Sequence, residues 1–324
     1  MNALLHLLGG GLLLYFGAQW LVAGSSALAL ALRIPPLIVG LTVVAYGTST
    51  PEVIVSVQAA LAGHPAVAIG NVVGSNIANI GLVLGISAII APARVNGALR
   101  SREMPVLLGS TVLIVGMLVD GAISRIEAAG LLACGVLYTA WMIRAARAEA
   151  EVRAATADTI VERDAADAAG APQARGVARS ALIASCGLGV LLVGGSLFVD
   201  GAVAAAYAFG MSERLVGVTV VAVGTSLPEL VTSVVAARRG HSDLAVGNVI
   251  GSSIFNASLC LGGAGLVGNV GADVRELAVD LVGLGVMTAV AAVFIRSDRT
   301  ISRQEGALAV ALYVVFVAAT IAPG

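Results

Sequence analysis

The chain has no lysine, only three cysteines and few charged residues of any kind. Charged side chains make up 11% of its 324 residues, whereas 58% are hydrophobic and the mean hydropathy is +0.98. So apolar a sequence cannot hide its surface in a water-soluble core, and the composition predicts a polytopic membrane protein. The absence of lysine, with the abundance of alanine, indicates only a compositional bias of the genome.

The three cysteines lie far apart, each within an apolar segment (Cys134, Cys186 and Cys260). This spacing predicts neither a disulfide framework nor a metal-binding motif. We interpret them as small apolar packing residues, the usual role of a buried free cysteine. Hydrolase and redox motifs are also missing, so we expect no enzyme, no cofactor and no nucleic-acid partner.

The chain contains one long sequence segment that occurs twice. Residues 40–85 match residues 217–262, beginning GLTVVAYGTSTPE in the first copy and GVTVVAVGTSLPE in the second. The two copies align without a gap at an offset of 177 residues, and more than half of the aligned positions are identical. The duplication predicts two structurally equivalent halves.

Ten apolar stretches are long enough to cross the hydrocarbon core of a membrane. They form two groups of five, 1–145 and 180–324, separated by a polar connector at 146–179 that we interpret as a solvated cytoplasmic linker. Because each half has an odd number of spans, the second half should insert upside down relative to the first. The predicted fold is therefore all-α, with two inverted five-helix repeats. The spans are predicted near 3–31, 36–62, 65–91, 104–120, 124–145, 180–208, 214–237, 243–268, 276–295 and 304–322.

The distribution of arginine predicts the orientation in the membrane. All 18 basic residues are arginine, and if the N-terminus lies outside, only Arg125, Arg214 and Arg275 fall in outside loops. The remaining arginines then lie inside, which is a strong positive-inside bias. We therefore predict that both termini lie outside. We expect the membrane to be a prokaryotic plasma (inner) membrane.

Each copy of the repeat places one glutamate, Glu52 or Glu229, in the middle of an apolar run beside a Gly-Thr-Ser-x-Pro sequence. An ionisable side chain at that depth is costly and indicates a functional site. Glycine and proline should break the helix here and free carbonyls such as those of Ala45 and Ala222. Carbonyl, hydroxyl and carboxylate oxygens are hard ligands, which suit Na⁺, Ca²⁺ or Mg²⁺.

A second polar element follows in each copy, GNVVGSNIAN at 70–79 and GNVIGSSIFN at 247–256. A serine and an asparagine four residues apart lie on one helix face, and these pairs are Ser75 with Asn79 and Ser252 with Asn256. Two structural interpretations stay open. The asparagines could form hydrogen bonds between helices, and the glycines of this element could serve only close helix packing.

Both copies resemble the alpha-repeats of the cation/calcium exchanger superfamily, most closely those of prokaryotic sodium/calcium exchangers. The matching phrases, G-T-S-x-P-E and G-N-V-[VI]-G-S-x-I-x-N, each occur twice, and the five-plus-five architecture extends the resemblance over essentially the whole chain. It implies a Na⁺/Ca²⁺ antiporter that works by alternating access, with Glu52 and Glu229 as carboxylate ligands of both ions. The other oxygen ligands that it implies are Thr48, Ser49, Thr225, Ser226, Ser75, Ser252, Asn79, Asn256 and the backbone carbonyls of Ala45 and Ala222.

The resemblance further implies that the first helix of each half slides across the core. Small-residue faces would permit this movement, and their glycines are Gly9, Gly10, Gly11, Gly17, Gly24, Gly187, Gly189, Gly194, Gly195 and Gly201.

One residue departs from part of the family. Some prokaryotic and potassium-dependent relatives carry an aspartate at the position of Asn256, which is a neutral amide here. Two core carboxylates instead of three argue against K⁺ co-transport. Two glutamates neutralise one Ca²⁺, whereas three Na⁺ would leave a positive charge, so we expect electrogenic exchange. We also expect the protein to be a monomer in the lipid bilayer.

Three alternatives remain from the sequence. A Ca²⁺/H⁺ exchanger, or an exchanger of another divalent cation for H⁺, would share the same architecture. A cation channel could use the same oxygens as a filter, although it would not need carboxylates in two inverted halves. A purely structural role would leave the two duplicated mid-membrane glutamates unexplained.

Overall fold

The protein, seen in a computed structural model, is almost entirely helical. The structure describes residues 2–95, 97–157, 172–210, 222–272, 274–297 and 300–321. The helices are α1 Asn2–Ala31, α2 Pro36–Thr48, α3 Thr50–Leu61, α4 Pro65–Ile90, α5 Leu99–Asp120, α6 Arg125–Ala157, α7 Pro172–Ala208, α8 Ala222–Thr225, α9 Leu227–Arg238, α10 Ser242–Val267, α11 Val274–Ser297 and α12 Arg303–Ile321.

In the described part of the chain, four short strands that the sequence did not predict connect the two halves. β1 (Ala93–Arg94) pairs with β4 (Thr300–Ile301), and β2 (Ala122–Ile123) pairs with β3 (Val270–Gly271), both antiparallel. Each pair joins a loop of the first half to a loop of the second. Paired strands lie on the same side of the membrane, so an even number of crossings must separate them.

This parity argument accounts for the tenth crossing. Among the described residues, eight helices are each long and apolar enough to cross a membrane, and the bent pair α2–α3 makes a ninth. Three of these nine, α6, α7 and α10, lie between β2 and β3. An even number requires a fourth crossing between these strands, and α8 and α9 are the described helices that lie between α7 and α10.

The helix breaks at the Gly-Thr-Ser-x-Pro sequences are confirmed. Between α2 and α3 the chain bends by 44°, and Ser49 leaves the helical region with φ −82° and ψ 8°. Ser226 has nearly the same conformation between α8 and α9. Pro51 and Pro228 stand in the first turn of the helices that follow, where a missing N–H leaves no hydrogen bond unmade.

The prediction of a freed carbonyl at Ala45 is wrong. Its oxygen accepts the N–H of Ser49 at 3.0 Å, which is the regular helical hydrogen bond. A proline removes the bond to the carbonyl four residues before it, and for Pro51 that carbonyl belongs to Gly47. The hydroxyl of Thr48 also donates to the Ala45 oxygen, at 3.4 Å, so an ion bound there would replace that weaker contact.

Several helices contain a wider π-helical turn, which hydropathy alone does not predict. These turns span Gly40–Val44, Asn79–Leu84, Leu99–Glu103 and Asn256–Cys260. Two of them begin at Asn79 and Asn256, which were predicted as site residues. Turns of this kind are frequent at functional sites, since they change the direction in which side chains and carbonyls point.

The first long helix of each half packs antiparallel against the other, with backbone touching backbone. A Cβ atom added to Gly17 of α1 would lie 2.4 Å from the nitrogen of Leu191, and one added to Gly187 of α7 would lie 2.4 Å from that of Leu21. Gly9, in contrast, would meet nothing within 4 Å. Only part of the predicted glycine face therefore forms the contact; its residues are Gly10, Gly17, Gly24, Gly187, Gly194 and Gly201.

The connector is more helical than a solvated linker. Helix α6 continues beyond residue 145, as far as Ala157. The segment 172–179 was expected to be linker but is the start of α7, with Pro172 as its first residue, a position that proline tolerates well. Residues 158–171 lie outside the described part, so the division into 1–145, 146–179 and 180–324 stays a prediction.

Candidate cation site

Two buried glutamates from opposite halves meet at the centre of the bundle. Glu52 is 1% exposed and Glu229 is fully buried, and each lies in the first turn of its helix, α3 or α9. The N-terminal end of a helix favours a negative charge. The carboxylates are close enough to interact electrostatically, so the like charges oppose each other.

A hydrogen bond joins the two halves at this point. The hydroxyl of Ser49 donates to Oε1 of Glu229 at 2.9 Å, although 180 residues separate them. Thr48 and Ser252 also lie beside the Glu229 carboxylate, and Thr48 Oγ1 donates to Oδ1 of Asn248 at 3.1 Å. The break after α2 thus places its two hydroxyls against the second half.

The remaining predicted ligands occupy the helices that pack on the two glutamate helices. Ser75 and Asn79 are buried on α4, and Ser252 and Asn256 are buried on α10. The π-helical turn that begins at Asn79 contacts α9, and the one that begins at Asn256 contacts α3. Each asparagine therefore lies in a turn that packs against the glutamate helix of the other half.

The other predicted positions lie before or at the two helix breaks. Ala45 is fully buried within α2. Ala222 and Thr225 are the first and last residues of α8, and Thr225 is half-buried. Ser226 follows directly and is 1% exposed, so the second break reproduces the first.

Many polar atoms of this cluster are buried without a hydrogen-bond partner among the described residues. Leaving such an atom unpaired costs about 1–3 kcal/mol, and burying a carboxylate without compensation costs more. The unpaired oxygens therefore fit a site for cations, which would serve as their partners. These oxygens are Glu52 Oε2, Glu229 Oε2, Ser226 Oγ, Ser252 Oγ, Asn79 Oδ1 and Asn256 Oδ1.

The repeat glycines of α10 have a packing role, which was one of the open interpretations. A Cβ atom on Gly247 would lie 2.6 Å from the carbonyl oxygen of Leu37, and one on Gly251 would lie 2.6 Å from that of Leu41. These glycines let α10 approach the backbone of α2 closely, which brings Ser252 towards the break at Ser49.

Sequence reasoning missed a pair of asparagines that hold the glutamate helices. Nδ2 of Asn71 donates to the carbonyl oxygen of Glu52 at 3.0 Å and to Oγ of Ser56 at 2.8 Å. Nδ2 of Asn248 donates to the carbonyl oxygen of Glu229 at 3.4 Å and to Oγ of Ser233 at 3.0 Å. The signal was available: Asn71 and Asn248 are identical polar residues at the repeat offset of 177.

We expect Asn248→Ala to weaken Ca²⁺ binding more than it lowers the maximal rate. The change removes the amide that fixes both the Glu229 backbone and Thr48. Loss of a residue that orients a metal ligand typically costs about 10–100-fold in affinity. The Ca²⁺ dependence of uptake into proteoliposomes would show this as a raised apparent KM.

A matched control is Thr288→Val. It also deletes a buried hydrogen bond between two helices, the hydroxyl contact of Thr288 with Thr111 at 3.1 Å, but on α5 and α11. The KM for Ca²⁺ should stay at the wild-type value in this control. An equal rise in KM for both variants would show that any lost helix contact has the effect, and would contradict the positioning role of Asn248.

Comparison with known proteins agrees with this geometry. The sequence profile described as "Sodium/calcium exchanger protein" matches residues 2–144 and 179–322. The sodium/calcium exchanger MaX1 of Methanosarcina acetivorans is 32% identical over 96% of both chains. An uncharacterized membrane protein of Methanocaldococcus jannaschii is 35% identical over 97% of this chain and 96% of its own.

A solved structure shows the same fold. The sodium-calcium exchanger NCX_Mj, soaked with Na⁺ and without Ca²⁺, superposes with a TM-score of 0.83 at 35% sequence identity, over 98% of both chains. The inverted ten-helix architecture predicted from the repeats is confirmed by this match, and the family is one of transporters rather than enzymes. Taken with the paired glutamates, these similarities show that the chain belongs to the sodium/calcium exchanger family.

Proposed function

We propose that this protein exchanges Na⁺ for Ca²⁺ across a membrane by alternating access, electrogenically and independently of K⁺. Its family makes it a cation/Ca²⁺ antiporter; the choice of Na⁺ and the movement of charge are our inference. The observation that carries it is the meeting of two buried carboxylates, one from each inverted half, linked by the bond from Ser49 to Glu229.

The burial of the cluster supports the ion ligands that we propose. Glu52 and Glu229 are the carboxylates that both ions share, and neighbouring oxygens supply the remaining coordination. Among the described residues, the side-chain oxygens of Ser226, Ser252, Asn79 and Asn256 are buried without a hydrogen-bond partner. Oxygen ligands of this kind suit both Na⁺ and Ca²⁺. The hydroxyl, amide and carbonyl ligands are those of Thr48, Ser49, Thr225, Ser226, Ser75, Ser252, Asn79, Asn256, Ala45 and Ala222.

The charge of the cluster supports exchange instead of leak. Among the described residues, the fully buried charged side chains are Glu52, Glu229 and Glu103, and Glu103 accepts a hydrogen bond from Tyr138 on α6. Two core carboxylates would be neutralised by one Ca²⁺ or two Na⁺. Without an ion, two bare carboxylates in a low dielectric oppose occlusion, so the protein should cross between its two states only when loaded.

Electrogenicity and independence of K⁺ rest on the same count. A third Na⁺ would give the loaded core one positive charge, and this charge would move through the membrane field. Asn256 is a neutral amide on α10, so it contributes no third carboxylate for K⁺. All of these residues come from a single chain, which is what a monomeric exchanger requires.

We propose that both termini face the outside of a prokaryotic plasma (inner) membrane. The β1–β4 pair places Arg94 on the same side as Thr300, and arginines concentrate in the loops on that side. The positive-inside rule makes it the cytoplasmic side. The β2–β3 pair, flanked by Arg125, would then lie outside.

In proteoliposomes, an outward Na⁺ gradient should drive uptake of ⁴⁵Ca²⁺. The uptake should not change when K⁺ in the bath is replaced by choline. An inside-positive potential should stimulate it, because three Na⁺ leaving for one Ca²⁺ entering carry one net positive charge outward.

Setting the pH separately on each side of the membrane distinguishes the nearest alternative. If uptake does not depend on Na⁺ but depends on the pH gradient, the protein is a Ca²⁺/H⁺ exchanger, and Glu52 and Glu229 carry protons. Unsaturable uptake without counterflow would indicate a channel. Either outcome would overturn the proposed Na⁺/Ca²⁺ exchange.

A further inference from the structure

A groove of about 400 Å³ runs along the outside of the helix bundle, between α1, α4 and α9. It does not include the proposed ion ligands. Its walls are mainly branched apolar side chains, while its polar groups gather on α1 and at the end of α9. The residues that line it are Tyr15, Gln19, Ile86, Ile90, Leu230, Val231, Val234, Val235, Arg238 and Arg239.

Two guanidinium groups stand at one end of this groove. Arg238 and Arg239 follow each other at the C-terminal end of α9, and both are exposed. Arg239 donates a hydrogen bond from Nη1 to the backbone oxygen of Gln19 at 3.1 Å, which links α9 to α1. The Oε1 atom of Gln19 is buried without a hydrogen-bond partner among the described residues. This end therefore offers polar groups to a ligand.

The dimensions of the groove match one lipid chain. From Leu230 to Arg238 the helix rises about 12 Å, at 1.5 Å per residue. One leaflet contributes roughly half of the 30 Å hydrocarbon core. An acyl chain lying against Leu230, Val234 and Ile86 would place its headgroup level with the two arginines.

The place that the repeat relates to this groove lacks the two arginines. At the repeat offset of 177, the positions equivalent to Arg238 and Arg239 are Leu61 and Ala62, and Ser196 is equivalent to Gln19. The guanidinium pair thus occurs at only one of the two equivalent places, and on our proposed orientation it faces the cytoplasm.

We propose that this groove binds one anionic phospholipid of the cytoplasmic leaflet. The phosphate contacts Arg238 and Arg239, because guanidinium groups bind phosphate oxygens with paired hydrogen bonds. One acyl chain fills the apolar length between α4 and α9. The cytoplasmic leaflet is rich in anionic lipid, which attracts basic residues at its surface. The bound lipid would bridge α1 and α9 next to the contact of Arg239 with Gln19.

The test is native mass spectrometry of the delipidated full chain with added lipid. Phosphatidylglycerol should bind as a single copy and at least tenfold more tightly than phosphatidylcholine. The double variant Arg238→Gln/Arg239→Gln should lose this preference. Val234→Trp, which fills the groove and keeps both charges, should weaken the binding of both lipids.

The control variant is Arg144→Gln/Arg179→Gln, which removes two exposed arginines of α6 and α7 outside the groove. It should bind phosphatidylglycerol like the wild type. Equal loss in the control would mean that overall positive charge attracts the lipid, and would overturn the site. Displacement of phosphatidylglycerol by an equal concentration of glycerol phosphate would also overturn it, since the acyl chain would then contribute nothing. None of these measurements depends on which ions the protein exchanges.

Discussion

Glu52→Gln and Glu229→Gln should each abolish Ca²⁺ transport. Either change removes half of the negative charge that compensates a divalent cation, in a cluster where both carboxylates are buried. Removing one partner of a buried charge pair costs about 3–5 kcal/mol, which corresponds to a loss of affinity of roughly 100-fold to 4,000-fold. Calcium titration of the purified protein and ⁴⁵Ca²⁺ flux in proteoliposomes would both measure it.

The chain supplies a matched control in Glu103→Gln. Glu103 is as deeply buried, at 1% exposed, but it stands at the start of α5 and bonds to Tyr138. This variant should keep Na⁺-dependent Ca²⁺ uptake. If exchange survived in both Glu52→Gln and Glu229→Gln, the composite carboxylate site would be wrong.

Gly17→Ala and Gly187→Ala should each destabilise the protein, although alanine is the better helix former. The added Cβ would lie 2.4 Å from a backbone nitrogen of the opposite helix, and no rotation of a side chain can relieve that contact. Overpacking costs about 1–3 kcal/mol, against a gain of about 1 kcal/mol in helix propensity. Thermal unfolding in detergent, followed by circular dichroism, should show a lower midpoint.

Gly9→Ala and Gly189→Ala test the same helices without the clash. A Cβ atom on either glycine meets nothing within 4 Å, so the propensity gain should remain and the unfolding midpoint should stay equal or rise. If Gly17→Ala behaved like Gly9→Ala, the close backbone contact between α1 and α7 would be contradicted.

The sequence by itself determined the features that depend on neighbouring residues. Spans follow from runs of apolar side chains, which must be long enough to cross hydrocarbon. Pro51 and Pro228 break their helices through their own missing N–H groups. Glu52 and Glu229 were identifiable because a charge in an apolar run is costly wherever the helix packs.

The contacts between α1 and α7 could not be predicted from the sequence around each glycine. All glycines of their faces look alike in sequence, yet a Cβ atom added to Gly17 would collide with the opposite backbone, whereas one added to Gly9 would meet nothing within 4 Å. Which residues face the partner depends on the rotation and crossing of both helices. The π-helical turn at Asn79 and the bond that keeps the Ala45 carbonyl occupied are likewise invisible to hydropathy.

Only the tertiary structure decided how the two halves share one site. The bond from Ser49 to Glu229 joins residues 180 positions apart, and the one from Thr48 to Asn248 joins residues 200 apart. The repeat predicted two equivalent motifs but not their partners, because a side-chain hydrogen bond forms only within about 3 Å and the approach of α2 to α10 sets that distance. That approach depends in turn on Gly247 and Gly251, whose Cβ atoms would collide with α2.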